Sequence, residues 1–307
     1  MAVSTGTRSG FVALAGRPNV GKSTLVNAMV GRKVAIVSDK PQTTRRAIRG
    51  VVTRPAGGGW AGSFPFQLVL TDLPGVQRPR DALTQRMQRR VETELSESDA
   101  ALFVVNGEQG VGGPGDRFIA EALSGAKVPV VIAVNKVDAI RRDPTVAALQ
   151  AADDLGLDAE VFPISARTGR GVVELTEHLA GLLPAGPFYF PPDEVSDQPE
   201  RVMLAELVRE QVLRRTRQEV PHAVEVQIDE IEERDGLVAV RAFIWAETES
   251  QKGILIGSRG AMIKSIGTAA RRELERELGT RVHLDLSVRV RRSWRGDDAL
   301  LDRLGIT

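Results

Sequence analysis

Cysteine is absent from this 307-residue chain. That excludes disulfides and thiolate metal sites, and it fits a reducing compartment. Long apolar runs are missing as well. No stretch approaches the ~18 continuous apolar residues of a membrane-spanning helix, and "MAVSTGTRSG" at the start lacks the apolar core of a secretory signal. Histidine is scarce. His178, His222 and His283 lie far apart in sequence and read as structural or surface residues rather than as a metal site. An excess of charge is also lacking: the net charge is +1, so bulk electrostatics does not identify a partner and only local clusters can.

What remains is an ordinary soluble composition, 42% hydrophobic and 26% charged. At about 150 residues per domain the length suggests two domains. The first two thirds alternate short apolar runs with helical patterns. "FVALAG" (11–16), "FQLVLTD" (66–72), "ALFVVN" (101–106), "PVVIAVN" (129–135) and "EVFPIS" (160–165) read as strands buried on both faces. Helices are expected over 22–30, 115–125, 145–155 and 172–183, which makes an α/β doubly wound sheet. "RAIRGVV" (46–52) reads as a strand antiparallel to 66–72, joined to it by a Gly-rich, mobile loop, "PAGGGWAG". Five prolines between Leu182 and Glu200 read as a linker. Beyond it the order helix, strand, strand, helix, turn, helix, strand is expected, with "EERDG" as a hairpin turn. The expected division is a nucleotide domain over 1–185, a linker over 186–200, an α+β domain over 201–290 and a basic tail over 291–307.

"GRPNVGKS" matches G-x-x-x-x-G-K-S after a strand and before a helix, the context that pattern requires. Gly16, Arg17, Pro18, Asn19, Val20, Gly21, Lys22, Ser23 and Thr24 would cradle phosphates at a helix N-terminus. Lys22 would reach the β- and γ-phosphates, and the Ser23 hydroxyl would ligate Mg2+. "TDLPG" closes the next strand with Asp72, Leu73, Pro74 and Gly75. Asp72 would hold Mg2+ and the Gly75 N–H would sense the γ-phosphate. "NKVD" supplies Asn135, Lys136, Val137 and Asp138. The two carboxylate oxygens of Asp138 match the N1–H and N2–H donors of guanine, a donor pair that adenine lacks. Ser165 and Ala166 close the last strand, where the Ala166 N–H can contact the guanine O6. Together, in order and each at a strand end, these motifs identify a translation-factor-like P-loop GTPase, with GTP or GDP and Mg2+ as cofactors. By resemblance to that group Thr44 is the favoured switch threonine for Mg2+ and the γ-phosphate, with Thr43 as the alternative. Small signalling GTPases place a water-orienting glutamine directly after D-x-x-G. Here Val76 stands in that place and Gln77 follows it, so slow intrinsic hydrolysis is expected. Related GTPases use an asparagine at the position of Asn19 to hold K+; the alternative is a loop-bracing amide.

"ILIGSRGAMIK" (254–264) places a Gly-Ser-Arg-Gly turn between two expected helices. From Gln251 to Arg272 there are five Lys or Arg and no acid, as befits a surface that meets phosphates. This context resembles a KH domain of the bacterial, type II topology, whose G-x-x-G loop clamps the backbone of single-stranded nucleic acid. Lys252, Ile256, Gly257, Ser258, Arg259, Gly260, Lys264 and Arg271 are the candidate contacts, with Arg272 beside them and Ile254 and Ile263 under the bases. Trp294, in an arginine-rich tail, is expected to stack on a base; packing in the core is the alternative. Arg209, Arg214, Arg215 and Arg217 read as a solvated helix face.

A GTPase domain followed by one type II KH domain resembles the Era family of ribosome-assembly GTPases over nearly the whole chain. "PQTTR", "LPGVQRPRDAL", "QKGILIGSRGAMIKSIGTAARREL" and "VRVRRSWRGDDALLDRLGI" carry the resemblance. The family more often shows D-T-P-G and G-K-G-G where this chain has "DLPG" and "GSRG". The resemblance implies binding near the 3′ end of 16S rRNA, action in assembly of the 30S subunit and a monomeric, cytoplasmic protein with peripheral membrane contact as a further expectation. In the alternative reading the protein is an RNA-binding assembly module for which GTP is a structural ligand.

Overall fold

The computed structural model describes residues 6–40, 43–56, 64–76, 82–216, 220–304 and 306. The glycine-rich stretch at 57–63, Gln77 and Arg217 lie outside the described residues. The chain divides into two units, described one at a time: 1–35, 44–79 and 84–197 in the first; 36–43, 80–83 and 198–307 in the second.

The first unit is a six-stranded sheet in the order β2-β3-β1-β4-β5-β6. Its elements in chain order are β1 (Arg8–Ala15), α1 (Lys22–Val30), β2 (Ile48–Arg54), β3 (Phe66–Asp72), α2 (Ala82–Glu97), β4 (Ala100–Asn106), α3 (Pro114–Ser124), β5 (Val130–Asn135), α4 (Arg142–Asp153), β6 (Glu160–Pro163) and α5 (Val172–Leu182). β2 runs antiparallel to β3; the other neighbours are parallel. The central strands are apolar throughout because helices cover both faces. Leu25, Val26 and Met29 of α1 and Leu175 and Leu179 of α5 pack one face. Val91 of α2, Ile119 and Leu123 of α3 and Ala148 and Ala152 of α4 pack the other. The order reverses on the two sides of β1, the place where doubly wound sheets bind ligands beyond the carboxyl ends of their strands.

The proline-rich stretch is not a free spacer. Buried Gln67 of β3 accepts the Tyr189 and Phe190 N–H groups at 2.7 and 2.9 Å and donates to the Phe190 carbonyl at 2.9 Å. Further along, Val51 N–H donates to Val195 O at 2.9 Å, and the Ser196 hydroxyl donates to Arg49 O at 2.7 Å. Residues 189–190 are thereby held by an amide whose donor and acceptor are both used, and 195–196 by the backbone of β2.

The second unit holds α6 (Glu200–Arg215), α7 (Val220–Ala223), β7 (Glu225–Arg234), β8 (Leu237–Ala246), α8 (Glu249–Ile256), α9 (Ala261–Leu278), β9 (Arg281–Val290) and α10 (Asp298–Arg303). β7 and β8 form an antiparallel hairpin, and β9 adds parallel to β8. Leu204, Leu207, Val208 and Val212 of α6 share a core with Leu255 of α8 and Ile266, Ala270 and Leu274 of α9. The i, i+4, i+8 spacing on α9 sets its basic residues on the opposite side. α8 begins in a capping box in which the Thr248 hydroxyl accepts Gln251 N–H and the Gln251 side chain returns to the cap backbone. The expected basic tail is instead folded structure. Leu300, Leu301, Leu304 and Ile306 are buried, and Arg291 pairs with Asp297.

Candidate guanine-nucleotide and nucleic-acid sites

β1 delivers the chain to the phosphate loop. Gly21 has φ 100°, and a Cβ there would come within 2.4 Å of Asn135 Nδ2. Only glycine lets the loop close against the guanine-motif strand in this way. Asn19 takes the left-handed conformation at φ 63°. Lys22 folds back over the loop, and its Nζ donates to the Gly16 and Arg17 carbonyls at 3.1 and 3.2 Å. Arg17 is held aside by a 2.7 Å bond to buried Asp116. Val20 is core, and Thr24 sits half-buried in the first turn of α1.

Burial pushes the Lys22 ammonium down to about 8, against an upward pull from Asp72. Phosphates bound beside it favour the charged form and raise that value again. Above pH 8, therefore, nucleotide binding takes up a proton and its affinity declines as pH rises. Calorimetric titration of GDP at pH 8.5 in buffers of different ionisation enthalpy is expected to show proton uptake, absent at pH 6.5. For the nucleotide-free protein the sign is opposite. Between pH 8 and 10.5 the unfolded chain holds more protons at this lysine, so the residue's contribution to stability rises with pH.

Three oxygens converge beside Lys22. Ser23 Oγ donates to Asp72 Oδ2 at 2.6 Å, Thr44 Oγ1 donates to the same oxygen at 3.2 Å, and the two hydroxyls lie 3.1 Å apart. A hard, all-oxygen set of this kind suits Mg2+. The structure brings Thr44, not Thr43, to this point; the Thr43 hydroxyl donates to Lys40 O at 2.6 Å. After Asp72, Leu73 is fully buried and Pro74 buried, and Gly75 follows before Val76 N–H donates to Gly16 O at 3.1 Å. Val76 is itself buried among apolar residues of the sheet face, so the position that carries glutamine in signalling GTPases carries a core side chain here.

The guanine side is built around Asn135. Its Oδ1 accepts the Lys136 and Ala166 N–H groups at 2.8 and 2.9 Å, and its Nδ2 donates to Val20 O at 2.9 Å. One buried amide thus ties the phosphate loop, the "NKVD" turn and the "SAR" turn together. The Ala166 N–H, expected to meet guanine O6, is directed to Asn135 here. Lys136 is left-handed at φ 66°, and Val137 is buried. Asp138 Oδ1 accepts the Ser165 hydroxyl at 2.7 Å, and Oδ2 pairs with Arg167 at 2.5 Å. The Ser165 hydrogen bond and then Arg167, against some burial, hold the carboxyl below its usual range, so it is ionised at neutral pH. Arg167 is the guanine-side residue to which sequence reasoning assigned no role. It is largely exposed and sits on the carboxylate that would face the base.

In the second unit Gly257 stands at φ 72°, ψ 174°, and Arg259 is left-handed at φ 49° in the turn Ser258–Gly260. Arg259, Lys264, Arg271 and Arg272 are exposed, and Lys252 is half-buried. Beside α9 and β9 lies an open groove of about 470 Å³ lined by Ile263, Lys264, Gly267, Arg271, His283, Leu284 and Leu286. Ile263 is in it as expected; Ile254 and Ile256 are not among its walls. The contribution of β9 was not foreseen, although alternate apolar residues in "HLDLSV" signal a strand with one apolar face. Trp294 corrects an expectation. Its indole is fully buried and donates to Ala223 O at 2.9 Å, so it has no free face for a base. Arg209 is a second correction: it is fully buried rather than solvated.

Residues 11–136 match the family model described as a 50S ribosome-binding GTPase, and residues 219–295 match the KH domain. The GTPase Era of Mycobacterium sp. (strain KMS) is 46% identical over 97% of this chain and 98% of its own length. That of Carboxydothermus hydrogenoformans is 44% identical over 98% of both. Two solved structures align over 98% of this chain and 99% of theirs. One is a point variant of Aquifex aeolicus Era bound to GDP·AlF4−, with TM-score 0.90 and 35% identity. The other is Era with MgGDPNP and nucleotides 1506–1542 of 16S ribosomal RNA, with TM-score 0.92 and 34% identity. With relatives 44–46% identical over 97–98% of its length, the chain belongs to the Era family of GTPases.

Proposed function

We propose that this protein is a GTP-hydrolysing switch that holds the single-stranded 3′ region of 16S rRNA through its KH unit and acts in assembly of the 30S subunit. The observation that carries this is the presence in one chain of the Ser23–Thr44–Asp72 oxygen cluster and the basic Gly257–Gly260 turn. Relatives bound to GDP·AlF4− and to MgGDPNP with 16S nucleotides support both halves.

Lys22 and the loop amides bind and neutralise the phosphates, and the site gains most from charge placed where it develops in the transition state. Ser23, Thr44 and Asp72 would hold Mg2+, which neutralises charge on the β- and γ-phosphate oxygens. Gly75 N–H would sense the γ-phosphate. Asp138 selects guanine by accepting two donors; Arg167 must swing away for the base to enter. Val76 offers no hydrogen bond to water, so turnover is slow until another group orders it. Asn19 supplies an amide oxygen of the kind that ligates K+, and K+ bound there would add positive charge beside the phosphates. In the second unit Gly257 and Gly260 bring backbone close to nucleic-acid phosphates, Arg259 and Lys264 add charge, and bases lie against Ile263, Leu284 and Leu286.

Buried Val76 favours one other reading, an assembly module in which GTP only stabilises structure. GTP turnover measured in K+ and in Na+ buffer, with and without a single-stranded RNA copying the 3′ end of 16S rRNA, separates the two. The switch predicts faster turnover with RNA, lost in an Arg259→Ala, Lys264→Ala double variant, and faster turnover in K+. Tight RNA binding that leaves turnover unchanged would establish the module instead.

A further inference from the structure

An arginine in a phosphate-binding loop is expected to face phosphate. Arg17 is spent elsewhere. Its Nε donates to Asp116 Oδ1 at 2.7 Å, and Asp116, in the first turn of α3, is fully buried. The other oxygen of that carboxylate accepts Gly112 N–H at 3.2 Å. α3 also makes room for the arginine stem. A Cβ on Gly115, the residue before Asp116, would lie 2.6 Å from Arg17 Cδ and 3.3 Å from its Cγ. Stem and head of Arg17 are thus both seated on one turn of α3, and all of these groups belong to the first unit. Burying a carboxylate is costly unless it is paired, and the roles assigned above leave Asp116 without one.

The backbone of Arg17 joins two groups that act on the γ-phosphate. Its carbonyl and that of Gly16 accept Lys22 Nζ at 3.2 and 3.1 Å. An ammonium carries three donors. With two of them set by these carbonyls, the direction of the third, toward phosphate oxygen, follows from where the carbonyls stand. Pro18 comes next in the chain, and Gly75 lies against it: a Cβ on Gly75 would come within 2.6 Å of Pro18 Cγ and 2.8 Å of its Cα. Proline fixes its own φ and restricts the residue before it. Little rotational freedom therefore separates the anchored Arg17 from the proline that backs Gly75.

We propose that Arg17, anchored by Asp116, is a positioning residue for GTP hydrolysis, holding the carbonyl that aims Lys22 and the proline that supports Gly75. The inference rests on the roles given above to Lys22 and Gly75. Arg17 acts through those groups rather than on the substrate.

The test measures GTP turnover and GDP affinity in the full chain for Arg17→Met, Arg17→Lys, Asp116→Ala, the Arg17→Met, Asp116→Ala double variant and Lys22→Ala. Methionine keeps the stem and loses the donor. Its kcat is expected to fall about tenfold, the scale of loss from a small misplacement. GDP has no γ-phosphate, so its affinity is expected to change by less than about twofold. Only one bond joins Arg17 to Asp116, so Arg17→Lys, which keeps a cationic donor, is expected to retain most of the rate. Asp116→Ala is expected to slow the wild type and to slow Arg17→Met no further, because residues acting through one contact are not additive. A purely structural pair would lower the melting temperature and leave the kcat of the folded protein unchanged, which overturns the proposal. Equal losses of kcat and GDP affinity in Arg17→Met overturn it too, as does a further fall in kcat when Asp116→Ala is added. Unchanged turnover in Lys22→Ala would instead sink the reading of the phosphate loop, and the proposal with it. Should Arg17→Met not fold, NMR of the wild type decides. The Arg17 Nε–H is expected to stay protected from solvent exchange with a non-hydrolysable GTP analogue bound, and rapid exchange overturns the proposal.

Discussion

Asp138→Asn is expected to lose guanine nucleotides and gain xanthine nucleotides. The carboxylate offers two acceptor oxygens, held in place by the Ser165 hydroxyl at 2.7 Å and kept ionised at neutral pH. Guanine presents two donors to it, N1–H and N2–H. The asparagine amide presents one acceptor and one donor, so one guanine N–H would face an amide N–H. A binding site that leaves buried polar groups unpaired discriminates by about 10⁴-fold. Because Asp138 stays partly solvated, a loss of about 10²- to 10⁴-fold in GDP affinity is the expected range. Xanthine carries a carbonyl where guanine has its amino group, and it restores one donor-acceptor match at each asparagine atom. Competition of GDP and XDP against a fluorescent guanine nucleotide checks both directions. Retained GDP affinity in a folded variant would show that the base is read elsewhere.

Gly257→Ala carries the second large effect, in the other unit. At φ 72°, ψ 174° the residue occupies a region that is essentially glycine's alone. A Cβ there would also lie 2.7 Å from Met262 Cβ and 2.9 Å from its backbone nitrogen. Backbone of this kind costs about 1–3 kcal/mol in any other residue, so alanine is expected to move the turn out of the shape that faces phosphates. RNA affinity is expected to fall about tenfold to a hundredfold, in proportion to that cost. GDP binding in the first unit is expected to be untouched. Gly253→Ala, the same change at an open position in α8, is the control and is expected to keep RNA affinity. Equal affinities for both variants, measured by fluorescence anisotropy, would remove the turn from the binding site.

The nucleotide motifs were legible because their chemistry is local. A phosphate loop, a magnesium carboxylate and a guanine acceptor each sit at a strand end, and apolar runs announce the strands. Thr44 could be told from Thr43 only by resemblance; in the structure the Thr43 hydroxyl is spent on the Lys40 carbonyl. α2 escaped notice because its sequence is dominated by charge, although Met87, Val91 and Leu95 mark one apolar face at i, i+4, i+8. Arginine is mostly exposed, so Arg209 read as solvated; the acids that neutralise it, Glu206 and Glu225, come from a helix and a strand whose meeting no local pattern announces. Trp294 failed for a related reason. An indole among arginines suggests stacking, yet its burial is decided by α7 and the terminal helix, both remote in pattern. The prolines of 182–200 correctly excluded helix and central strand, but they gave no hint that Gln67 would pin them down.

The way residues 187–196 lie along β2 bears on how the chain emerges from its own synthesis. β2 is the outermost strand of the six-stranded sheet, and an uncovered outer strand is a template for unwanted pairing with other chains. Its cover, through Val195 and Ser196, is made about 140 residues later than β2 itself. At ribosomal speeds of roughly 5–20 residues per second, β2 has no such cover for about 7–30 seconds, while the rest of the first unit is being made. The chain thus carries an uncovered outer strand while it is still being made. Segments that follow the nucleotide domain serve as its late seal before they serve as the path to the RNA-binding unit.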